Sequence, residues 1–99
     1  MMEVVFGDGD LDRLETDPRF DGGYSPAVVK GFRKKMQVIR AAEDERAFYA
    51  LKSLHFEKLK GNRDHQSSMR LNDQWRLILS FAGADKEKVV HVLAIEDYH

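Results

Sequence analysis

Ser68-Met69-Arg70-Leu71-Asn72-Asp73-Gln74-Trp75-Arg76-Leu77-Ile78-Leu79-Ser80-Phe81 is the stretch that decides the fold. Met69 and Leu71 alternate with Ser68 and Arg70, and Trp75, Leu77, Leu79 and Phe81 alternate with Arg76, Ile78 and Ser80. Alternation of this kind marks strands with one apolar and one polar face. Asn72-Asp73-Gln74 reads as the hairpin loop between them. A loop of odd length sets Arg70 and Arg76 side by side on the polar face, because side chains repeat with period two.

Downstream, Gly83-Ala84-Asp85-Lys86 turns the chain. Residues 88–95 then place Val89, His91, Leu93 and Ile95 against Val90, Val92 and Ala94, apolar on both faces, as expected for a central strand. His91 reads there as a core or sheet histidine. Upstream, Gly61-Asn62 marks the change from helical to alternating period. Ser25 is a good helix cap, and Pro26 suits a first helical position, where a missing N–H costs nothing. Val28, Val29, Phe32, Met36 and Ile39 make the apolar stripe of that helix, with Lys30, Arg33, Lys34 and Lys35 on its other faces. Glu43-Asp44-Glu45 predicts the acidic start of a further helix burying Ala47, Leu51 and Leu54 and packed antiparallel to the first. Nearer the start, residues 2–6 alternate as a strand, and Asp10 predicts the cap of a short helix over 11–16 that ends before Pro18. Strand, helices, then three strands give an α+β class: a small antiparallel, partly mixed sheet packed by N-terminal helices.

With 99 residues, 42% of them hydrophobic, the chain is read as a single domain, 1–99, with a modest core. No apolar run approaches the length of a membrane span, and the first residues lack a signal-peptide layout. There is no cysteine, which excludes disulfides and thiolate metal sites and suits a reducing cytoplasm. Net charge is −1, but unevenly spread. Residues 1–21 hold seven acids against Arg13 and Arg19, whereas residues 22–76 hold twelve Lys or Arg against six acids. That asymmetry predicts a basic working face, with solvated surface charge as the plain alternative.

The four histidines, His55, His65, His91 and His99, form no tight metal pair, and no Gly-rich phosphate loop is present. Cations, histidines and Tyr98 remain. Together they can neutralise a pentacoordinate phosphate and move protons, as metal-free cleavage of RNA by its own 2′-hydroxyl requires. Leu59-Lys60-Gly61, then Ser68-Met69-Arg70-Leu71-Asn72-Asp73-Gln74-Trp75-Arg76-Leu77, then Glu96-Asp97-Tyr98-His99 resemble a HigB-type toxin of the RelE/ParE superfamily over nearly the whole chain. The resemblance implies a small antiparallel sheet packed by N-terminal helices. It also implies a ribosome-dependent mRNA endonuclease held inactive by a co-expressed antitoxin.

On that resemblance Lys60 matches a lysine near the scissile phosphate, and Arg76 the arginine that stabilises transition-state charge. Arg70 falls where relatives carry a second cation facing the RNA backbone. His99 matches a C-terminal general acid or base, with Tyr98 before it to stack on or orient a base. Some relatives carry a catalytic histidine closer to the Leu-Lys-Gly element than His55 is; the two extra residues either keep His55 in the site or turn it away. Lys58, Arg63 and His65 would grip phosphate or ribosomal RNA. No metal or other cofactor is expected. Unlike the usual, clearly basic family member, this chain is slightly acidic. The expected partners are the ribosome with its mRNA and a helix-rich, DNA-binding antitoxin in a hetero-oligomer. Two other classes stay open: an inhibitor of DNA gyrase, and an inactive member acting only by binding its antitoxin.

Overall fold

The computed structural model describes residues 2–83 and 88–97, and in it five strands form one sheet. They are β1 (Glu3–Phe6), β2 (Glu57–Lys58), β3 (Gln66–Arg70), β4 (Trp75–Ala82) and β5 (Val89–Asp97). The helices are α1 (Gly9–Thr16), α2 (Pro26–Ala41) and α3 (Arg46–Ala50), with 3-10 turns at Lys52–Leu54 and Gly61–Arg63. Strand order is β1-β5-β4-β3-β2. β1 runs parallel to β5 and every other pair is antiparallel, so the sheet is mixed at one edge.

The 68–81 hairpin forms with the register expected of its three-residue loop, Arg70 directly opposite Arg76. Asn72 closes the loop: its Oδ1 accepts from the backbone N–H of Gln74 at 2.9 Å and of Trp75 at 2.8 Å. This side-chain mimicry of a turn is what Asn supplies best. β5 lies between β1 and β4, with Val90 and Val92 fully buried, as its two apolar faces predict. It is not regular, however. Ile78 pairs with Ala94 but Leu79 with Val92, so Leu93 is an extra residue, a β-bulge. Strict alternation would turn Ile95 away from Val90 and Val92; the bulge returns it to their face, opposite Leu77.

The helices and one sheet face enclose the core. Leu11 and Leu14 of α1, Val28, Phe32, Met36 and Ile39 of α2, and Phe48 of α3 pack with Met69, Leu77, Leu79, Val90 and Val92. α2 begins as expected, Ser25 Oγ accepting from the Val28 N–H at 3.4 Å with Pro26 at the start. Gly31, absent from the expected stripe, is buried where α2 meets the hairpin. A Cβ there would lie 2.7 Å from the Leu71 carbonyl oxygen.

Three local expectations change. α1 is capped by Asp8, not Asp10: extended Asp8 accepts from the Asp10 N–H at 2.8 Å and the helix starts at Gly9. The helix expected after Glu43-Asp44-Glu45 is only five residues long. It buries Phe48, while Leu51 is 45% exposed, so no long antiparallel helical hairpin forms. Rings settle that segment: Phe48 lies 5.3 Å from Phe56, which lies 6.1 Å from Phe81, and the chain must unwind to bring Phe56 under the sheet edge. The turn expected at 83–86 lies, apart from Gly83, outside the described residues.

Candidate functional site

The sheet face turned away from the helices carries the arginines. Arg70 closes β3 and Arg76 opens β4, and like charges directly opposite disfavour a strand pair unless other groups compensate. Compensation is present for both. Arg70 Nη2 pairs with the Asp73 carboxylate, and its Nε donates to the Asn72 carbonyl at 3.2 Å. Its Nη1 lies 3.1 Å from His55 Nε2. A guanidinium can only donate, so Nε2 is the accepting nitrogen in that contact. Arg76 Nη2 lies 3.7 Å from Glu96 Oε1.

His55 reaches Arg70 through an unusual backbone. It follows the Lys52–Leu54 turn with φ 47° and ψ 44°, the left-handed conformation that side-chain-bearing residues seldom adopt. Such conformations persist only where surrounding structure enforces them. The longer spacing to Lys60 therefore does not separate His55 from Arg70. Lys60 is exposed immediately before Gly61, whose φ of 71° calls for glycine in the turn.

Glu96 is a member that reading the sequence missed. It accepts both terminal nitrogens of Arg63, Nη1 at 3.0 Å and Nη2 at 2.9 Å, besides its approach to Arg76. Arg63 Nε also donates to Gln66 Oε1 at 3.0 Å. A period-two count from Val90 puts Glu96 on the core face. The Leu93 bulge puts it opposite Arg76 instead, and no local signal announces that bulge. Beside it, Asp97 accepts from Gln74 Nε2 at 2.9 Å, tying the end of β5 to the hairpin loop. Tyr98 and His99 lie outside the described residues.

The remaining expected members do not join this group. Lys58 pairs with Ser67, and Ser67 with Leu79, which places Lys58 on the helix side of the sheet. Lys58 and His65 line a separate cleft of about 370 Å³ with Tyr49, Phe56 and Phe81. A larger cleft of about 530 Å³ runs along α2, with Phe20, Tyr24 and Val29 on its walls and Lys30 and Lys34 beside them. His91 sits half-buried on β5 opposite Ser80. Among the described residues, no three His, Asp or Glu side chains converge as a metal site. No helix there is long and apolar enough to cross a membrane.

Comparison with known proteins bears on the same sheet. A YoeB/ParE toxin from Agrobacterium tumefaciens has a similar structure, with TM-score 0.66 and 19% identity, covering 99% of this chain and 100% of that one. YafQ from E. coli superposes with TM-score 0.59 at 10% identity, covering 99% of this chain and 94% of that one. At such identities the likeness is one of fold. Among curated proteins none matches the sequence. The HigB-like toxin family, described as the RelE-like toxin of the type II toxin-antitoxin system HigB, matches residues 5–99. With nearly the whole chain matched and the fold of RelE-like toxins beneath it, this protein belongs to the HigB-like family of type II toxins, and a cognate antitoxin is implied as its partner.

Proposed function

We propose that this toxin is a metal-independent endoribonuclease that cuts mRNA on the ribosome and so stops translation. The observation that carries the reading is the juxtaposition of Arg70 and Arg76 on one polar strand face, with His55 against Arg70. Two arginines at directly opposed positions on one strand face suit a dianionic phosphorane better than they suit each other. In the proposed reaction a 2′-hydroxyl loses its proton and attacks the adjacent phosphorus. The P–O5′ bond breaks, leaving a 2′,3′-cyclic phosphate and a 5′-hydroxyl that takes up a proton. Arg76, Arg70 and Lys60 carry the phosphate charge, His99 and His55 move the protons, and Tyr98 orients a base.

A domain this small offers few elements for holding RNA, so the ribosome supplies most of the positioning, where much of the barrier reduction in such reactions lies. That requirement places the protein in the cytoplasm. The antitoxin is proposed to be helix-rich and DNA-binding, and to form a hetero-oligomer with the toxin.

The test is primer extension on a defined mRNA, with and without programmed ribosomes. Cuts seen only with ribosomes and lost in folded Arg76→Ala and His99→Ala support the reading. Removing a charge that acts in the transition state should lower the rate by at least about 100-fold. An antitoxin-free, folded sample that makes no cuts defeats the reading, and inhibition of gyrase supercoiling would then favour the binding alternative.

A further inference from the structure

Resting on that nuclease reading, we propose that Glu96 is the positioning residue of the site: its carboxylate holds the Arg63 and Arg76 guanidiniums where RNA phosphate meets them. The geometry is a fork. Both Glu96 oxygens accept from Arg63, at 3.0 and 2.9 Å, and Oε1 also lies 3.7 Å from Arg76 Nη2. Bidentate carboxylate–guanidinium pairing fixes the plane of an arginine as well as its position. Arg63 is held on its other edge by Gln66 at 3.0 Å, so its planar head is clamped from two sides.

A stabilising ion pair alone does not account for this arrangement. The Glu96 and Arg63 side chains are 33% and 36% exposed, and pairs that wet add little to stability. What the pair does supply is reach. Arg63 stands in the turn before β3, whereas Glu96 stands on β5, with β4 between them. The contact draws a loop cation over the face that carries Arg70 and Arg76. The Leu93 bulge makes this possible, since without it Glu96 would face the helices. Bulges commonly re-aim a side chain next to a functional site.

A negative charge beside phosphate-binding cations weakens their pull on RNA, so Glu96 exchanges affinity for order. Its removal should therefore separate binding from rate. In Glu96→Gln, similar in shape but uncharged, single-turnover cleavage on programmed ribosomes at saturating toxin should fall about tenfold, a loss of orientation rather than of a reacting group. The half-saturating toxin concentration should stay level or drop. Glu96→Asp, which keeps the charge, should recover part of the rate. A residue that merely supported the fold would lower the active fraction and leave the per-molecule rate and its half-saturation alone.

A second arm needs no activity. In 15N NMR of the free toxin, the terminal Nη–H signals of Arg63 and Arg76, the groups that face Glu96, should be resolved and slow to exchange, and should broaden or collapse in Glu96→Gln. Unchanged arginine signals in Glu96→Gln, or a cleavage rate within twofold of wild type, would overturn the proposal. If wild type makes no cuts, the nuclease reading fails by itself. The NMR arm then still decides whether Glu96 orders these arginines.

Discussion

Arg33 offers a quantitative test of how the N-terminal segment is held. From the middle of α2 its Nε donates to the Leu14 carbonyl at 3.0 Å, and its Nη2 to the carbonyls of Asp17 at 2.9 Å and Phe20 at 3.2 Å. One guanidinium thus satisfies the C-terminal end of α1 and the loop after it. Each hydrogen bond from a charged donor contributes roughly 1.5–3 kcal/mol when protected from water. These are part-buried, so water recovers much of that value on removal. Arg33→Met, which keeps the apolar stem, should cost about 2–3 kcal/mol in total. At roughly 4–8 °C per kcal/mol for a domain of this size, Tm should fall by roughly 10–20 °C. Arg33→Lys keeps a charge but not the fork, so it should lose about half as much. Urea unfolding followed by circular dichroism measures both, with the midpoint moving and the slope constant. Hydrogen exchange should show the added opening at residues 17–24. A loss under about 0.5 kcal/mol for Arg33→Met, the range of an ordinary surface change, would refute the reasoning.

Gly31→Ala sets helix propensity, a gain of about 1 kcal/mol, against contact with the Leu71 carbonyl oxygen at 2.7 Å. Overpacking against backbone costs roughly 1–3 kcal/mol, so the urea midpoint should fall, and a rise would show that α2 shifts freely. Ser68 is fully buried with no hydrogen-bond partner for its Oγ among the described residues. Ser68→Ala should therefore stabilise by about 1 kcal/mol, and a loss of stability would reveal a partner for the hydroxyl. Hydrogen bonds from the Arg46 side chain and backbone hold Asp44 at a pKa of about 2, below the usual carboxylate value. Its stabilising contribution is complete above the unfolded-state pKa near 4 and is lost as pH falls through about 2. Asp44→Asn should flatten the stability profile over that acid window and leave its shape near neutrality unchanged; an identical acid limb in the variant would count against the pairing.

Much of this protein is written locally. The alternation around Asn72-Asp73-Gln74 determined the hairpin and the pairing of Arg70 with Arg76, because period and loop parity leave one register that buries the apolar set. Ser25-Pro26 and the Val28-to-Ile39 stripe determined α2, since capping and burial act within one helix. The Leu-Lys-Gly, Gln-Trp-Arg-Leu and terminal motifs carried the family resemblance. Tertiary structure decided the rest. Phe48 and Phe56 cut short the helix that the acidic run announces, because burying two rings outweighs the small preference for continuing a helix. Arg33, one of a row of cations in the sequence, became an internal brace because the carbonyls of Leu14, Asp17 and Phe20 lay within its reach. Strand register sent Lys58 to the other side of the sheet, and His65, in the turn before β3, lines the same cleft. Glu96 joined the arginines through a bulge that arises because Val90, Val92 and Ile95 must all reach one core, a demand set by the packed sheet and not by the residues beside Glu96.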